Sequence, residues 1–370
     1  MVYGWFRLGV VSVLLVACSG GSNGPSTVDA EPTLRLEQPK TLLGDGALGL
    51  SYFPDQGVSR LPAASGERLL VTAGVSTFLV EGAALESLSQ ASEVLPRGEP
   101  GSFDNGYAGI SAVVRVGELF YGFYHAEDQE ELPALGGGVP GYYASIGLAT
   151  SADGASWTKQ GAVLTSSHAK SWQAYPNQGD RGAAEPGATL SADGRFVYLY
   201  YTEHSRADGR SVDICVARAD LESGPPLPGS FFKYRDGAFS APGIGGRDSP
   251  VVVGPNPVVA NALQGHVTYV ASALRYLMIF GVDAWEERMS GRAPALSGLY
   301  AAWSRDGIAF SEPRRLIVDQ AVPETGRGLS WEATALLDDE AARGGWLVYG
   351  YTPSWGTSPH YMVARRFTLD

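Results

Sequence analysis

Acidic residues and histidines recur in this chain at the edges of short apolar runs. Asp55 (YFPDQG), Asp104 (SFDNGYAG), Glu185 (AAEPG), His266 (GHV) and Glu332 (SWEA) each stand where such a run begins. Glu127 and Asp128 (YHAEDQ), Glu203 and His204 (YTEHSR), Asp283 (GVDAW) and Trp355 (TPSWG) stand where the following run ends. If each pair of runs forms antiparallel strands, the start of one lies beside the end of the next, and these groups gather on one face. Carboxylates brought together repel one another, which raises some of their pKa values and divides their roles. A protonated acid beside an ionised carboxylate, with aromatic faces close by, is the equipment for cleaving a glycosidic bond. Each residue also has a plainer use, as a loop cap, a turn residue or one half of a rim ion pair. Other chemistries lack their parts. There is no Gly-x-Ser-x-Gly elbow, the five histidines make no recognisable triad, and no zinc-type or P-loop spacing occurs.

The runs that must position these groups are strands. The 48 glycines and 23 prolines punctuate short stretches rich in Val, Tyr, Phe, Leu and Thr, many of them alternating or wholly apolar over a few residues. Helical periodicity is confined to short candidates at 82–92 and 284–289. One strand–turn–strand unit recurs as SAVVRV/LFYGFYH (111–125), GATLS/FVYLYYT (187–202), HVTYVAS/RYLMIFG (266–281) and EATALL/GWLVYGY (332–351), with a weaker copy at 59–73. A second unit centres on SADGASW (151–157) and SRDGIAF (304–310), with FKYRDGAFSAPG (232–243) a looser relative. Its Ser-x-Asp-Gly-x-x-aromatic pattern resembles the Asp-box turn of sialidases and other propellers. The resemblance implies that the Asp caps the turn and that Trp157 and Phe310 pack between blades. Two hairpins in series make a four-stranded sheet, and copies begin near 45, 104, 183, 250 and 331, a spacing of roughly 60–80 residues. The predicted fold is therefore all-β: a five-bladed β-propeller of four-stranded antiparallel blades, closed by an N-terminal strand within 33–43. A two-sheet sandwich would not explain the repeat.

The order of the acids resembles that of the five-bladed propeller glycosidases, the arabinanase/xylosidase group (glycoside hydrolase family 43) and its invertase-like relatives. Glu185-Pro186, followed by GATLSADGRFVYLYYT, is similar to the family's acid segment, and the resemblance implies that Glu185 is the general acid. By order, Asp55 matches the base, with Asp45 competing for the place, and Asp104 matches the second Asp that modulates the pair. Glu127, Glu203, His204, Asp283, Glu332 and Trp355 are expected to bind substrate, Trp355 as a platform for a sugar ring. Related propellers place a histidine near an axial metal ion, so the resemblance implies that His266 contacts a structural calcium ion at the axis; no cofactor is required for the chemistry. The invertase motifs Asn-Asp-Pro-Asn and Arg-Asp-Pro are absent, and Gly246–Pro250 (GRDSP) is only reminiscent of the latter. A non-catalytic glycan-binding or scaffold propeller at the cell envelope is the alternative, with the same acids holding calcium or satisfying loops.

The N-terminus says where such a domain would work. Arg7 is followed by the apolar run LGVVSVLLVA (8–17), too short to span a bilayer and sized as the core of a signal peptide. Leu15-Val16-Ala17-Cys18 resembles the bacterial lipobox, so 1–17 is expected to be removed and Cys18 lipidated, with Ser19 favouring the outer membrane. Residues 18–32 form a tether with too little apolar surface to fold, and 33–370 form one domain. A hydrophobic content of 44% with 11% aromatics suffices for its core. A net charge of −12 argues against nucleic acid or an anionic membrane face as the partner; the resemblance implies carbohydrate, bound by an expected monomer whose only membrane contact is its lipid. Cys215, in VDICVA, reads as a small buried hydrophobe.

Overall fold

The computed structural model describes residues 30–132, 140–170, 181–204, 212–253, 261–283, 296–318, 329–339, 341, 343–353 and 359–370. The expected signal segment, Cys18, Trp355 and the helix expected at 284–289 lie outside them. Two short strands, β1 (Leu34–Leu36) and β2 (Lys40–Leu43), come first. Blade 1 is β3 (Ser59–Leu61), β4 (Glu67–Ala73), β5 (Ser76–Gly82) and β6 (Leu88–Leu95). Blade 2 is β7 (Tyr107–Val116), β8 (Leu119–Asp128), β9 (Tyr143–Ser151) and β10 (Thr158–Leu164). Blade 3 contains β11 (Ala183–Leu190), β12 (Phe196–Glu203), β13 (Asp213–Asp220), β14 (Phe232–Arg235), β15 (Ala238–Pro242) and β16 (Pro250–Val252). Blade 4 is β17 (Asn261–Val270), β18 (Arg275–Asp283), β19 (Gly298–Ser304) and β20 (Arg314–Val318). Blade 5 is β21 (Leu329–Leu337), β22 (Gly344–Thr352) and β23 (Tyr361–Leu369), completed by β1 and β2, which both pair with β23. The strands β3, β7, β11, β17 and β21 contact one another in order around the axis, β21 returning to β3. This is the five-bladed propeller that the repeat implies, and the N-terminal strands close it.

The core is divided into five apolar clusters, each shared by two neighbouring blades. That arrangement explains the sequence pattern. A middle strand is covered on both faces, so β8 and β12 read as nearly unbroken apolar runs, whereas the outer strands β6 and β10 alternate with exposed residues. Inner strands crowd near the axis: a Cβ on Gly187 of β11 would lie 2.1 Å from the Gly265 carbonyl oxygen of β17, so only glycine fits. The two Ser-x-Asp-Gly-x-x-aromatic turns, at 151–157 and 304–310, are built alike. Asp153 Oδ1 accepts from the N–H groups of Ala155 and Ser156, and Asp306 Oδ1 from those of Ile308 and Ala309. Trp157 joins the cluster between blades 1 and 2, and Phe310 packs on Tyr200 of blade 3, ring centroids 6.1 Å apart.

Three local expectations are corrected. The helix expected at 82–92 is instead a single 3-10 turn (Leu85–Ser87) leading into β6, because the backbone there pairs with β5. The blade start expected near 250 is β16, which pairs with β13 of blade 3; blade 4 begins at Asn261. The segment 232–243 is a hairpin, β14–β15, whose turn residues Asp236 and Gly237 both have positive φ (49° and 93°). Lys233 secures that hairpin. It is fully buried, and its ammonium donates to the carbonyls of Thr165 and Gly246, both at 2.8 Å, and faces Asp248 Oδ2 at 3.4 Å. Thr33–Asp370 form one compact unit.

Candidate functional site

The register confirms the rule that gathers polar residues on one face. Tyr107 of β7 lies opposite Glu127 of β8, Ala183 opposite Glu203, Asn261 opposite Asp283, and Leu329 opposite Thr352. Within β11, β17 and β21 a bulge then resets the alternation. Glu185 (φ 54°), Gln264 (φ 61°) and Glu332 (φ 49°) are the left-handed residues at the bulges of β11, β17 and β21. Each turns its N–H towards the preceding blade: Glu185 donates to His125 Nδ1 at 3.2 Å, Gln264 to Thr202 Oγ1 at 2.9 Å, and Glu332 to Gln264 Oε1 at 3.1 Å. His266, matched in the sequence to Glu185 and Glu332, therefore sits two residues beyond their structural counterpart, Gln264.

Asp55 enters from the loop before β3. The hydroxyl of Tyr107 donates to its carbonyl at 2.9 Å and faces its Oδ2 at 3.2 Å. Burial, reinforced by the charge of Glu127, raises its carboxyl to about 7. Glu185 lies across blade 3. Burial alone would raise its carboxyl, but His204, whose Nε2 is 3.6 Å from Oε1, and the Thr202 hydroxyl, 2.6 Å from Oε2, together hold it below the ordinary carboxylate range. Burial in turn lowers the His204 imidazole, against the pull of Glu185. Glu127 accepts from Gln129 Nε2 at 2.8 Å and sits 3.2 Å from His125 Nε2. Because His125 Nδ1 already accepts from Glu185, the proton of that imidazole belongs on Nε2, where it donates to Glu127. His125 thus ties the Glu127 side chain to the Glu185 backbone.

Glu332 is only 2% exposed, and burial with the charge of Glu185 pushes its carboxyl well above the usual range. Its partner His266, Nε2 3.2 Å from Oε2, is lowered by burial to about 4. Burial thus opposes charge on both partners, which favours a hydrogen bond over an ion pair. The His266 ring also lies so close to Gly57 that a Cβ there would come within 2.1 Å of it. Past His266, a cavity of about 190 Å³ runs between the inner strands, lined by Ser59, Ser111, Thr268 and Thr334 among others. Calcium takes six to eight oxygen ligands. Among the described residues no three His, Cys, Asp or Glu side chains gather to hold an ion, and His266 is committed to Glu332.

The structure brings together Asp55, Glu127, Glu185, His204, His266 and Glu332. It does not bring Asp104, which is 2% exposed and turned into blade 2, where Lys159 Nζ of the outer strand β10 lies 2.6 Å away and the Tyr124 hydroxyl donates at 3.2 Å. Glu203 is also corrected. Strand alternation puts Thr202 and His204 on the Glu185 side and buries Glu203 on the face of Tyr201. Asp45 caps the backbone, accepting from the His360 N–H at 3.2 Å. Asp283 ends β18 opposite Asn261, but its side chain, like the whole of Trp355, is outside the described residues. Tyr107, His125, Thr202 and Gln264 were not singled out in the sequence. His125 was within reach, since it lies two residues from Glu127 on one strand and so shares its face.

No protein-family model matches the sequence, and no curated protein matches it. Solved structures resemble the fold. A thermostable family-43 glycoside hydrolase aligns at 12% identity over 86% of this chain and 89% of its own, with a TM-score of 0.50. Zg3597, a family 117 glycoside hydrolase from the marine bacterium Zobellia galactanivorans, aligns at 12% identity over 92% and 90%, TM-score 0.54. An α-L-arabinanase from Cellvibrio cellulosa, complexed with arabinohexaose, aligns at 9% identity over 83% and 90%, TM-score 0.50. At these identities the likeness is one of fold.

Proposed function

We propose that this chain is an exported, lipid-anchored glycoside hydrolase acting on poly- or oligosaccharide at the mouth of its propeller axis, with Asp55 and Glu185 as the working carboxyl pair. The meeting of carboxyl groups from blades 1, 2 and 3 in unlike protonation states carries this proposal. The fold's likeness to glycoside hydrolases supports it. Hydrolysis needs one group that gives a proton to the leaving oxygen and one that stays ionised to activate water or attack the anomeric carbon. In the resting site Asp55 holds its proton up to about 7, and Glu185 is ionised. The roles therefore run opposite to those implied by the family resemblance: Asp55 is the acid and Glu185 the base or nucleophile. Glu127 stays beside them, oriented by His125, and its charge keeps Asp55 protonated. No step is routed through a metal.

Hydrolysis of arabino-, xylo-, fructo- and galacto-oligosaccharides by the wild type, Glu185→Gln and Asp55→Asn tests this. Either substitution should reduce turnover by about a hundredfold or more. Equal turnover by wild type and Glu185→Gln removes Glu185 from the chemistry, and binding without hydrolysis by the wild type leaves a glycan-binding propeller. Cys18→Ser should move the protein from the membrane to the soluble fraction; an unchanged distribution would discard the anchor.

A further inference from the structure

The two ends of the inner strands differ in what they carry. Each inner strand starts beside the gathered carboxyl groups and ends in a hairpin turn on the opposite face. The chain enters the domain on that turn face. In blade 5, β21 runs from Leu329, beside Thr352, to Leu337, beside Gly345. β23 runs the same way, from Tyr361, beside Tyr351, to Thr368, beside Gly344. Thr33 meets Asp370 just past that end, N–H to carbonyl at 3.2 Å in both directions. Strands such as β7 and β21, of ten and nine residues, put about 30 Å between this entry point and the carboxyl face.

The surface of the turn face is suited to a bilayer. Leu274, at the β17–β18 turn, is 64% exposed, more than any other large apolar residue described, and Leu119 at the β7–β8 turn is exposed as well. Acids on this face are met by arginines. Asp338 accepts from Arg366 at 2.6 and 2.8 Å, Asp220 from Arg195 at 2.8 Å, and Glu118 from Arg115 at 3.2 Å. The opposite face carries Asp55, Glu127 and Glu185, and an anionic lipid surface repels ionised carboxylates.

We propose that the protein stands with its turn face against the membrane and its carboxyl mouth turned away, so that it works on glycan in the surrounding water and not on sugars of the lipid surface beneath it. The orientation rests on the Cys18 anchor, and the nature of the substrate on the glycosidase reading. Residues 19–32, fourteen in number and rich in Gly and Ser, span about 20 Å as a flexible chain. That reach is shorter than the distance between the two faces, so the tether draws the turn face to the lipid and leaves the mouth clear. Exposed leucines among neutralised acids then meet the bilayer interface.

The test uses the full-length lipidated protein in vesicles of phosphatidylethanolamine and phosphatidylglycerol. Cys18 carries the lipid and Cys215 is buried, so a cysteine introduced by Leu274→Cys or Val75→Cys is the one that takes a fluorophore. Val75 is exposed in the β4–β5 turn at the carboxyl end, where its carbonyl accepts from the Ala108 N–H at 3.0 Å. Lipid-borne nitroxides should quench the label at 274 at least about twofold more than the label at 75. Glu118→Cys, also on the turn face, should repeat the strong quenching without removing either leucine. Equal quenching at 274 and 75, or stronger quenching at 75, overturns the orientation and leaves the anchor standing. A protein that does not float with the vesicles overturns both. The anchored protein and its soluble Cys18→Ser form should hydrolyse a soluble polysaccharide equally; a slower anchored form would place the mouth against the lipid. No hydrolysis by either form removes the glycosidase reading, and the quenching still decides the orientation.

Discussion

Glu185 and Glu332 occupy the same position in blades 3 and 5, the left-handed bulge residue of the inner strand, yet their carboxyls are shifted in opposite directions. Their backbones do the same work, each N–H reaching a side chain of the preceding blade. What differs is what the carboxyls meet. Glu185 has the Thr202 hydroxyl and His204 to stabilise its charge, whereas Glu332 is sealed against a neutral His266 and faces the charge of Glu185.

Glu332→Gln should therefore be well tolerated. The amide matches the protonated carboxyl in shape and can still hydrogen-bond His266, so thermal stability at neutral pH should change by no more than about 1 kcal/mol. A large loss, measured by denaturant unfolding, would mean that Glu332 is ionised in the folded chain.

Asp55 gives the site its pH dependence. Its folded-state value of about 7 lies above the ordinary 3.8, so the folded chain binds that proton more tightly than the unfolded one. The associated stability is present below about pH 4 and is lost as pH rises through about 7. Asp55→Asn should accordingly melt higher than the wild type at about pH 8 and close to it at about pH 4. Turnover should fall above about pH 7 as the acid is deprotonated. The Tyr107 hydroxyl favours the ionised form, so Tyr107→Phe should move that fall to higher pH. A pH–rate profile unaffected by Tyr107→Phe would separate Asp55 from the titration.

Asp104 is held by Lys159 and Tyr124. Asp104→Asn should cost about 1–3 kcal/mol of stability, read from urea unfolding, and leave kcat nearly unchanged. A collapse of kcat in a folded Asp104→Asn protein would return this residue to the chemistry.

Lys233 is a buried cation facing the buried carboxylate of Asp248, which also accepts from the Tyr201 hydroxyl at 2.7 Å. Lys233→Ala should cost about 3–5 kcal/mol, with Lys233→Ala/Asp248→Asn recovering part of it. If the double variant is no more stable than the single one, the ammonium serves the Thr165 and Gly246 carbonyls instead.

The architecture was legible because blades impose a coarse rhythm: apolar middle strands, alternating outer strands and Asp-Gly turns all survive as patterns in one dimension. Glu185 was legible for the same reason, standing at a strand start before a proline. The partners were not. Bulges at Glu185, Gln264 and Glu332 shift the facing of everything after them, and His266 was matched two residues beyond the true counterpart, Gln264. Asp104 and Glu127 both belong to blade 2, and only the course of the loop before β7 decides that the first turns to Lys159 and the second to the axis. Blade 3 hid its extra strands because β13 is long enough to take both β14 and β16, a matter of strand length that composition does not record.

The seam of the ring has a consequence for how it is made. Thr33 and Asp370 stand as neighbours, each N–H facing the other's carbonyl at 3.2 Å, where β1 runs beside β23. During synthesis the strands made first must wait, unpaired, for the strands made last, the longest-range contact in the molecule and the slowest to form. The same adjacency leaves the two ends of the compact unit Thr33–Asp370 side by side. A short peptide bridging Asp370 to Thr33, with new ends opened in a surface turn, would move the wait to a different blade without changing the fold.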